Sequence, residues 1–130
     1  MAKGYQRIWA IMREEIEPHD LTPPQFALLS FLLQQDGLTQ VELSEKCQID
    51  RSTLGGLIDR LERGGLLERR QHQQDRRAYR ICLTAQGKAM ESILAGCAER
   101  SQKRFTSGLN ENEVMELGRM LDILRGTEGR

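Results

Sequence analysis

The sequence predicts a mostly α-helical domain that carries a small β-hairpin. Three observations lead there. Apolar residues recur at helical spacing through most of the 130 residues, and residue pairs that cap helices stand ahead of those runs. Between residues 66 and 83 the period changes to the alternation of extended chain, on either side of a polar, basic tip. Aromatic residues are only 5% and charged residues 29% of the chain, a composition that suits a helix-rich soluble domain.

The elements follow in order. Tyr5, Ile8, Trp9, Met12 and Ile16 form one apolar stripe on a first helix of about three turns. Glu17-Pro18-His19-Asp20 ends it, because the residue before a proline is pushed out of the helical region. Thr22 is an N-cap, with Pro23 in the first helical position and Gln25 three residues after the cap. Phe26, Leu28, Leu29, Leu32 and Leu33 then give a wide apolar face, suited to a central helix that Asp36-Gly37 breaks. Thr39 and Glu42 form another capping box, opening a short helix with Val41, Leu43 and Cys47 inward.

After Gln48-Ile49, Asp50 caps a helix from Arg51 to Arg63 whose core side is Leu54, Leu57, Ile58 and Leu61. Gly64-Gly65 stops it. Residues 66–70 and 78–83 read as antiparallel strands, with Tyr79, Ile81 and Leu83 alternating on one face and residues 71–77 as the tip between them. Thr84 caps a long helix with Met90, Ile93, Leu94, Cys97 and Phe105. Asn110 and Glu113 open a last helix carrying Val114, Leu117, Leu121 and Leu124, which ends near Gly126.

A helix pair followed by a basic hairpin is a winged helix-turn-helix, which seats one helix in the major groove of DNA. Charge points the same way. Residues 51–80 hold eight arginines against four acids, a balance of +4, whereas residues 1–50 carry four basic and eight acidic side chains, a balance of −4. The last fifty residues balance at seven each, so the neutral chain concentrates its positive charge at the reader. The exposed side of the Arg51–Arg63 helix, about 20 Å long, presents Arg51, Ser52, Thr53, Gly56 and Arg60. Thr39 and Gln40, at the start of the preceding helix, are counted with them. Gly55 and Gly56 each weaken the helix by about 1 kcal/mol against alanine, which points to something large approaching the backbone. The alternative is a solvated helix with incidental glycines. In the tip, Arg77 suits a narrow minor groove and Asp75 the fixing of the loop, although a charged hairpin tip is common on any soluble protein.

Asp50-Arg51-Ser52-Thr53, Leu61-Glu62-x-x-Gly65-Leu66, Asp75-x-Arg77, Leu83-Thr84 and Gly87 together resemble the MarR (multiple antibiotic resistance regulator) family. The likeness extends upstream through Leu21 to Leu29. It implies a homodimeric winged-helix transcription factor, usually a repressor, on a pseudo-palindromic operator. Arg77 would enter the minor groove, and Arg51, Ser52, Thr53 and Arg60 would lie on the DNA side. It also implies that the N- and C-terminal helices interlock between two chains, and that a small effector, often a phenolic or aromatic acid, sits between them and the DNA-binding lobe. On this reading residues 1–130 are a single domain, with a lobe at 22–84 and dimerisation regions at 1–17 and 85–126. Trp9, Met12, Leu117, Leu121 and Leu124 either complete one chain's core or bury against a twin chain. The effector-binding residues are unknown; Tyr5 and Trp9 fit the core stripe, and His19 a polar turn.

Other classes find less support. Two histidines, His19 and His72, have no acid–base constellation around them, and no glycine loop has nucleotide-binding spacing. No enzyme, cofactor or metal site is expected. A redox sensor is an alternative, since the resemblance implies that some relatives sense peroxides through a reactive cysteine near the N-terminus, but this chain has none before Cys47. Cys47 and Cys97 fall on apolar faces as inert core residues, and Cys82 as the more exposed one. A winged helix serving only protein contacts is a third class, which Arg76-Arg77 argue against. The three cysteines include no CxxC pair, no apolar run nears the roughly 18 residues of a membrane span, and no secretory signal opens the chain. A cytoplasmic location is expected.

Overall fold

The computed structural model describes residues 2–74 and 78–124, without the side chains of residues 2–5, 122 and 124. Helix α1 (Ala2–Ile16) runs into a single 3-10 turn (Glu17–His19), where Asp20 takes a left-handed conformation at φ 59°. Helix α2 (Pro23–Gln34) begins at a reciprocal cap: the Thr22 amide donates to Gln25 Oε1 at 2.9 Å, and the Gln25 amide to Thr22 Oγ1 at 3.4 Å. Strand β1 (Leu38–Thr39), helix α3 (Gln40–Cys47) and helix α4 (Arg51–Arg63) follow. The hairpin is β2 (Leu67–Gln71) and β3 (Tyr79–Leu83); α5 (Ala85–Lys88), α6 (Glu91–Phe105) and α7 (Glu111–Leu124) close the chain. The expected end near Gly126 lies outside the described residues.

The core gathers around α2. Leu28, Leu29 and Leu32 are almost wholly buried, as are Leu43, Leu54, Ile58, Leu67 and Ile81, which arrive from α3, α4 and the hairpin. Each such side chain stabilises the fold by about 1.5–3 kcal/mol through removal of apolar surface from water. The lobe is therefore one packed unit, and α4 cannot rotate without unseating Leu54, Leu57, Ile58 and Leu61 together.

The hairpin is part of a three-stranded antiparallel sheet of order β1-β3-β2, with Leu38 opposite Ile81 and Arg69 on the other side of Ile81. The third strand went unforeseen because two residues are too few for alternation to show. It joins the start of α3 to the hairpin, helped by the Leu83 amide, which donates to Asp36 Oδ1 at 2.9 Å.

Several expectations need correction. Val41 is exposed, since Leu43 alone of that helix reaches full burial. Tyr79 is half exposed although Ile81 and Leu83 are buried, because the core covers only the base of the hairpin. Cys82 is buried, not the most exposed cysteine: at the base both faces of β3 are covered, and Glu68 lies opposite it across the sheet. The long helix after Thr84 is two helices. Gly87 is wedged against the turn before β2, where a Cβ would stand 2.1 Å from the Leu66 carbonyl oxygen, so α5 stays with the hairpin while α6 turns off along α1.

The stripe on α1 is also offset from its expected position: Ile11 and Ile16 are buried, while Ile8 is exposed and Trp9 and Met12 are half-buried. Tyr5 offers no described side chain. Ion pairs join α1 to α6, from Arg100 Nε to Glu15 Oε1 at 2.7 Å and from Arg104 to both Glu14 and Glu15. On α7, opened by the reciprocal Asn110–Glu113 cap at 2.9 Å each way, Met115, Met120, Leu121 and Ile123 are exposed.

Candidate nucleic-acid interface

The reader is built by two capped helices set across a tight turn. Thr39 Oγ1 accepts from the Glu42 amide at 3.2 Å, and Glu42 Oε1 accepts from the Thr39 amide at 3.1 Å. That contact, the Thr39 amide first, holds the Glu42 carboxyl below its ordinary range. Gln48 turns the chain at φ 55°, and Ser44 Oγ donates to the Ile49 carbonyl at 2.5 Å. Asp50 then caps α4, accepting the Thr53 amide at 3.0 Å. The Thr53 hydroxyl, followed by its amide, depresses the Asp50 carboxyl, so the cap is ionised at neutral pH. Thr39 and Thr53 are therefore engaged locally while remaining at the surface.

Gln40 has a similar double position. It is half-buried, and its Nε2 donates to the Arg51 carbonyl at 3.3 Å, tying the starts of α3 and α4. The same amide stands 3.3 Å from where a Gly55 Cβ would be. Gly55 is thus explained from within the fold. Gly56 is not, because a Cβ there would meet nothing within 4 Å.

On α4 the buried positions are Leu54, Leu57, Ile58 and Leu61. The opposite stripe is Ser52, Gly56, Arg60 and Arg63, with Thr53 beside it; all are exposed except the half-buried Gly56. Arg63 was not singled out from sequence, although its spacing from Ser52 and Gly56 carries the signal. From Ser52 to Arg63 the stripe runs about 16 Å, longer than the roughly 12 Å width of a major groove, so its two ends can reach the flanking backbones. Arg51 is exposed in the first turn.

The arginines divide into two groups. Arg69 Nη2 lies 2.6 Å from Asp59 Oδ1 and its Nη1 2.6 Å from Glu62 Oε1, while Arg70 pairs with Glu68. Arg51, Arg60, Arg63 and Arg80 are exposed and make no ion pair among the described residues. Among the described residues, acids neutralise Arg69 and Arg70 on β2 and leave unpaired Arg80 on β3 and the arginines on the outer face of α4. Asp75 and Arg77 lie outside the described residues; the ladder below them reaches the His72 amide, which donates to the Ala78 carbonyl at 3.0 Å.

Two further features bear on the alternatives. All three cysteines are free thiols, and burial raises the Cys47 and Cys82 thiols, the direction opposite to a reactive thiolate. A cleft of about 520 Å³ opens between α1, α2, α6 and α7, lined by Met12, Phe26, Ser101, Phe105, Val114 and Leu117. Among the described residues no cluster of histidine, cysteine and acidic side chains is placed to hold a metal ion, and no helix is long and apolar enough to cross a membrane.

Comparison with known proteins places this geometry. A family model described as the MarR family matches residues 19–78. The chain is 31% identical over 113 residues to the HTH-type transcriptional repressor MdtR of Bacillus subtilis (strain 168), covering 86% of this chain and 72% of that protein. Among solved structures it resembles Bordetella bronchiseptica BpsR, whose DNA binding is regulated by 6-hydroxynicotinic acid, with a TM-score of 0.83 and 30% identity over 95% of this chain and 89% of that one. It also resembles a mutant Escherichia coli MarR complexed with operator DNA, with a TM-score of 0.79 and 26% identity over 95% and 89%.

Proposed function

Because the chain belongs to the MarR family of transcriptional regulators, we propose that two copies of it bind a pseudo-palindromic operator as a repressor. The observation that carries this reading is the division of the arginines: those paired with acids lie on β2, while Arg51, Arg60 and Arg63 of α4 are exposed and unpaired among the described residues. Arg51, Ser52, Thr53, Gly56 and Arg60 of each copy meet the major groove, and Thr39 and Gln40 its edge. Arg51 pairs with a guanine edge, and Arg60 with a phosphate. Arg77 enters the minor groove and Asp75 fixes its loop.

Residues 22–84 form the reading lobe, while residues 1–17 and 85–126 join the copies. The exposed Met115, Met120, Leu121 and Ile123 support that pairing, since such a face on a lone chain stays in water at a cost. Pairing sets two readers about 34–36 Å apart, one helical turn of DNA. A small aromatic acid binds between the helices and the lobe, alters that spacing and releases the operator. The cleft that joins Phe26 of the lobe to α6 and α7 suits an aromatic ring, and its lining holds no cation, so the carboxylate faces the open mouth. Burial raises the Cys47 and Cys82 thiols, so neither of these two cysteines favours a redox switch.

The test is titration of the purified chain against fragments from upstream of its own gene at several salt concentrations, together with sedimentation to fix the number of copies bound. A reader that neutralises Z phosphates gives log affinity against log salt a slope of about −0.9Z. Specific binding with a steep slope and two copies per site is the expected result. A flat slope, or a single copy per site, refutes the reading.

A further inference from the structure

We propose that Arg69 is a positioning residue that sets the angle between α4 and the wing, so that major-groove and minor-groove contacts are made together. The inference rests on the DNA-binding reading above and adds a residue that does not itself touch DNA. Between α4 and β2 the chain passes through Gly64 and Gly65, the latter at φ +80°, and bonds from the Gly65 amide to the Glu62 carbonyl and from the Leu66 amide to the Leu61 carbonyl, 3.0 Å each, fix it as far as Leu66. Across this turn Arg69 makes three contacts. Its amide donates to Glu62 Oε2 at 3.2 Å, its Nη1 to Glu62 Oε1 at 2.6 Å, and its Nη2 to Asp59 Oδ1 at 2.6 Å.

One carboxylate thus holds both the backbone and the side chain of β2, and the rigid guanidinium fork spans two positions one turn apart on α4. The core fixes the base of the hairpin through Leu67, and β2 is exposed at its far end, at Arg70 and Gln71. The chain runs about 10 Å from Arg69 to His72, so a tilt of roughly 10° at the base moves the far end by about 2 Å. That exceeds the tolerance of a hydrogen bond to a groove. The three side chains are partly exposed, at 25% for Arg69, 53% for Asp59 and 39% for Glu62, so the pairs add little to stability. What they supply is direction.

A double-mutant cycle reads this directly. Operator affinity is measured for the unaltered chain, Arg69→Met, Arg77→Ala and the pair, with thermal unfolding showing that each is folded at the assay temperature. Arg77→Ala is expected to weaken binding about tenfold in the unaltered chain and less than about twofold beside Arg69→Met, because a misdirected wing has no contact left to lose. Arg69→Lys, reaching only one carboxylate, should give an intermediate loss. If Arg69→Met does not fold, Asp59→Asn repeats the cycle with one arm of the fork released. Equal losses from Arg77→Ala in both backgrounds overturn the proposal. If the unaltered chain binds no operator at any salt, the DNA-binding reading fails and takes the coupling with it. If Arg77→Ala costs nothing in the unaltered chain, the wing contact itself is wrong and the coupling is refuted.

Discussion

Gly56→Ala separates the needs of the fold from those of its ligand. In the free protein the added methyl meets nothing within 4 Å, so no contact is lost. The helix gains the propensity difference between the two residues, about 1 kcal/mol. For a chain of this size that raises the unfolding midpoint by roughly 3–6 °C. Gly55→Ala is the control. Its methyl presses on Gln40 Nε2 at 3.3 Å, and giving up the Gln40 bond to Arg51 costs about 0.5–1.5 kcal/mol, which cancels the propensity gain. The operator should respond oppositely to Gly56→Ala. On the outward stripe between Ser52 and Arg60, a methyl occupies the volume that the duplex enters, and a clash of this kind costs about 1–3 kcal/mol, or roughly 5- to 150-fold in affinity. Circular dichroism melting and fluorescence anisotropy on an operator fragment read the two halves. A stabilised variant with unchanged affinity would show that nothing approaches α4 at this position.

Three more outcomes are expected. Arg51→Ala should lower affinity for the operator by about 1–3 kcal/mol and narrow its preference over operator variants; competition titrations that show equal losses for every sequence would assign Arg51 to phosphate. Gly87→Ala should destabilise the fold by about 2–4 kcal/mol, read by urea unfolding, because its methyl would stand 2.1 Å from the Leu66 carbonyl oxygen, which also accepts the Thr84 amide at 3.1 Å. The Glu15 carboxyl is held below its ordinary range, chiefly by its hydrogen bond from Arg100 and further by Arg104, against an opposing effect of burial. Its contribution is therefore complete above the unfolded value of roughly 4 and disappears as pH falls through the lower folded value. Melting points of the unaltered chain and Glu15→Gln should differ at pH 7 and converge below about pH 4, and a constant gap would remove Glu15 from the acid response.

Much of this protein is written in local chemistry. Thr22 with Gln25, Thr39 with Glu42, Asp50, and Asn110 with Glu113 each satisfy amides within three residues, so the starts of α2, α3, α4 and α7 were legible without any tertiary information. The same holds for the core side of α4, which periodicity alone identifies. The hairpin was legible from alternation, except at Tyr79 and Cys82, where burial depends on what covers each end of the strand.

Only the tertiary structure decided the rest, because it rests on groups distant in sequence. Which arginines are unpaired depends on β2 lying alongside α4, which brings Arg69 to Asp59 and Glu62. The break between α5 and α6 follows from the contact of Gly87 with Leu66, and the third strand from the pairing of Leu38 with Ile81. The two adjacent glycines of α4 look alike in sequence, yet one makes room for Gln40 and the other faces open space. Capping and periodicity act over three or four residues and are visible in a single chain; steric room and charge pairing belong to surfaces that exist only after the chain has folded.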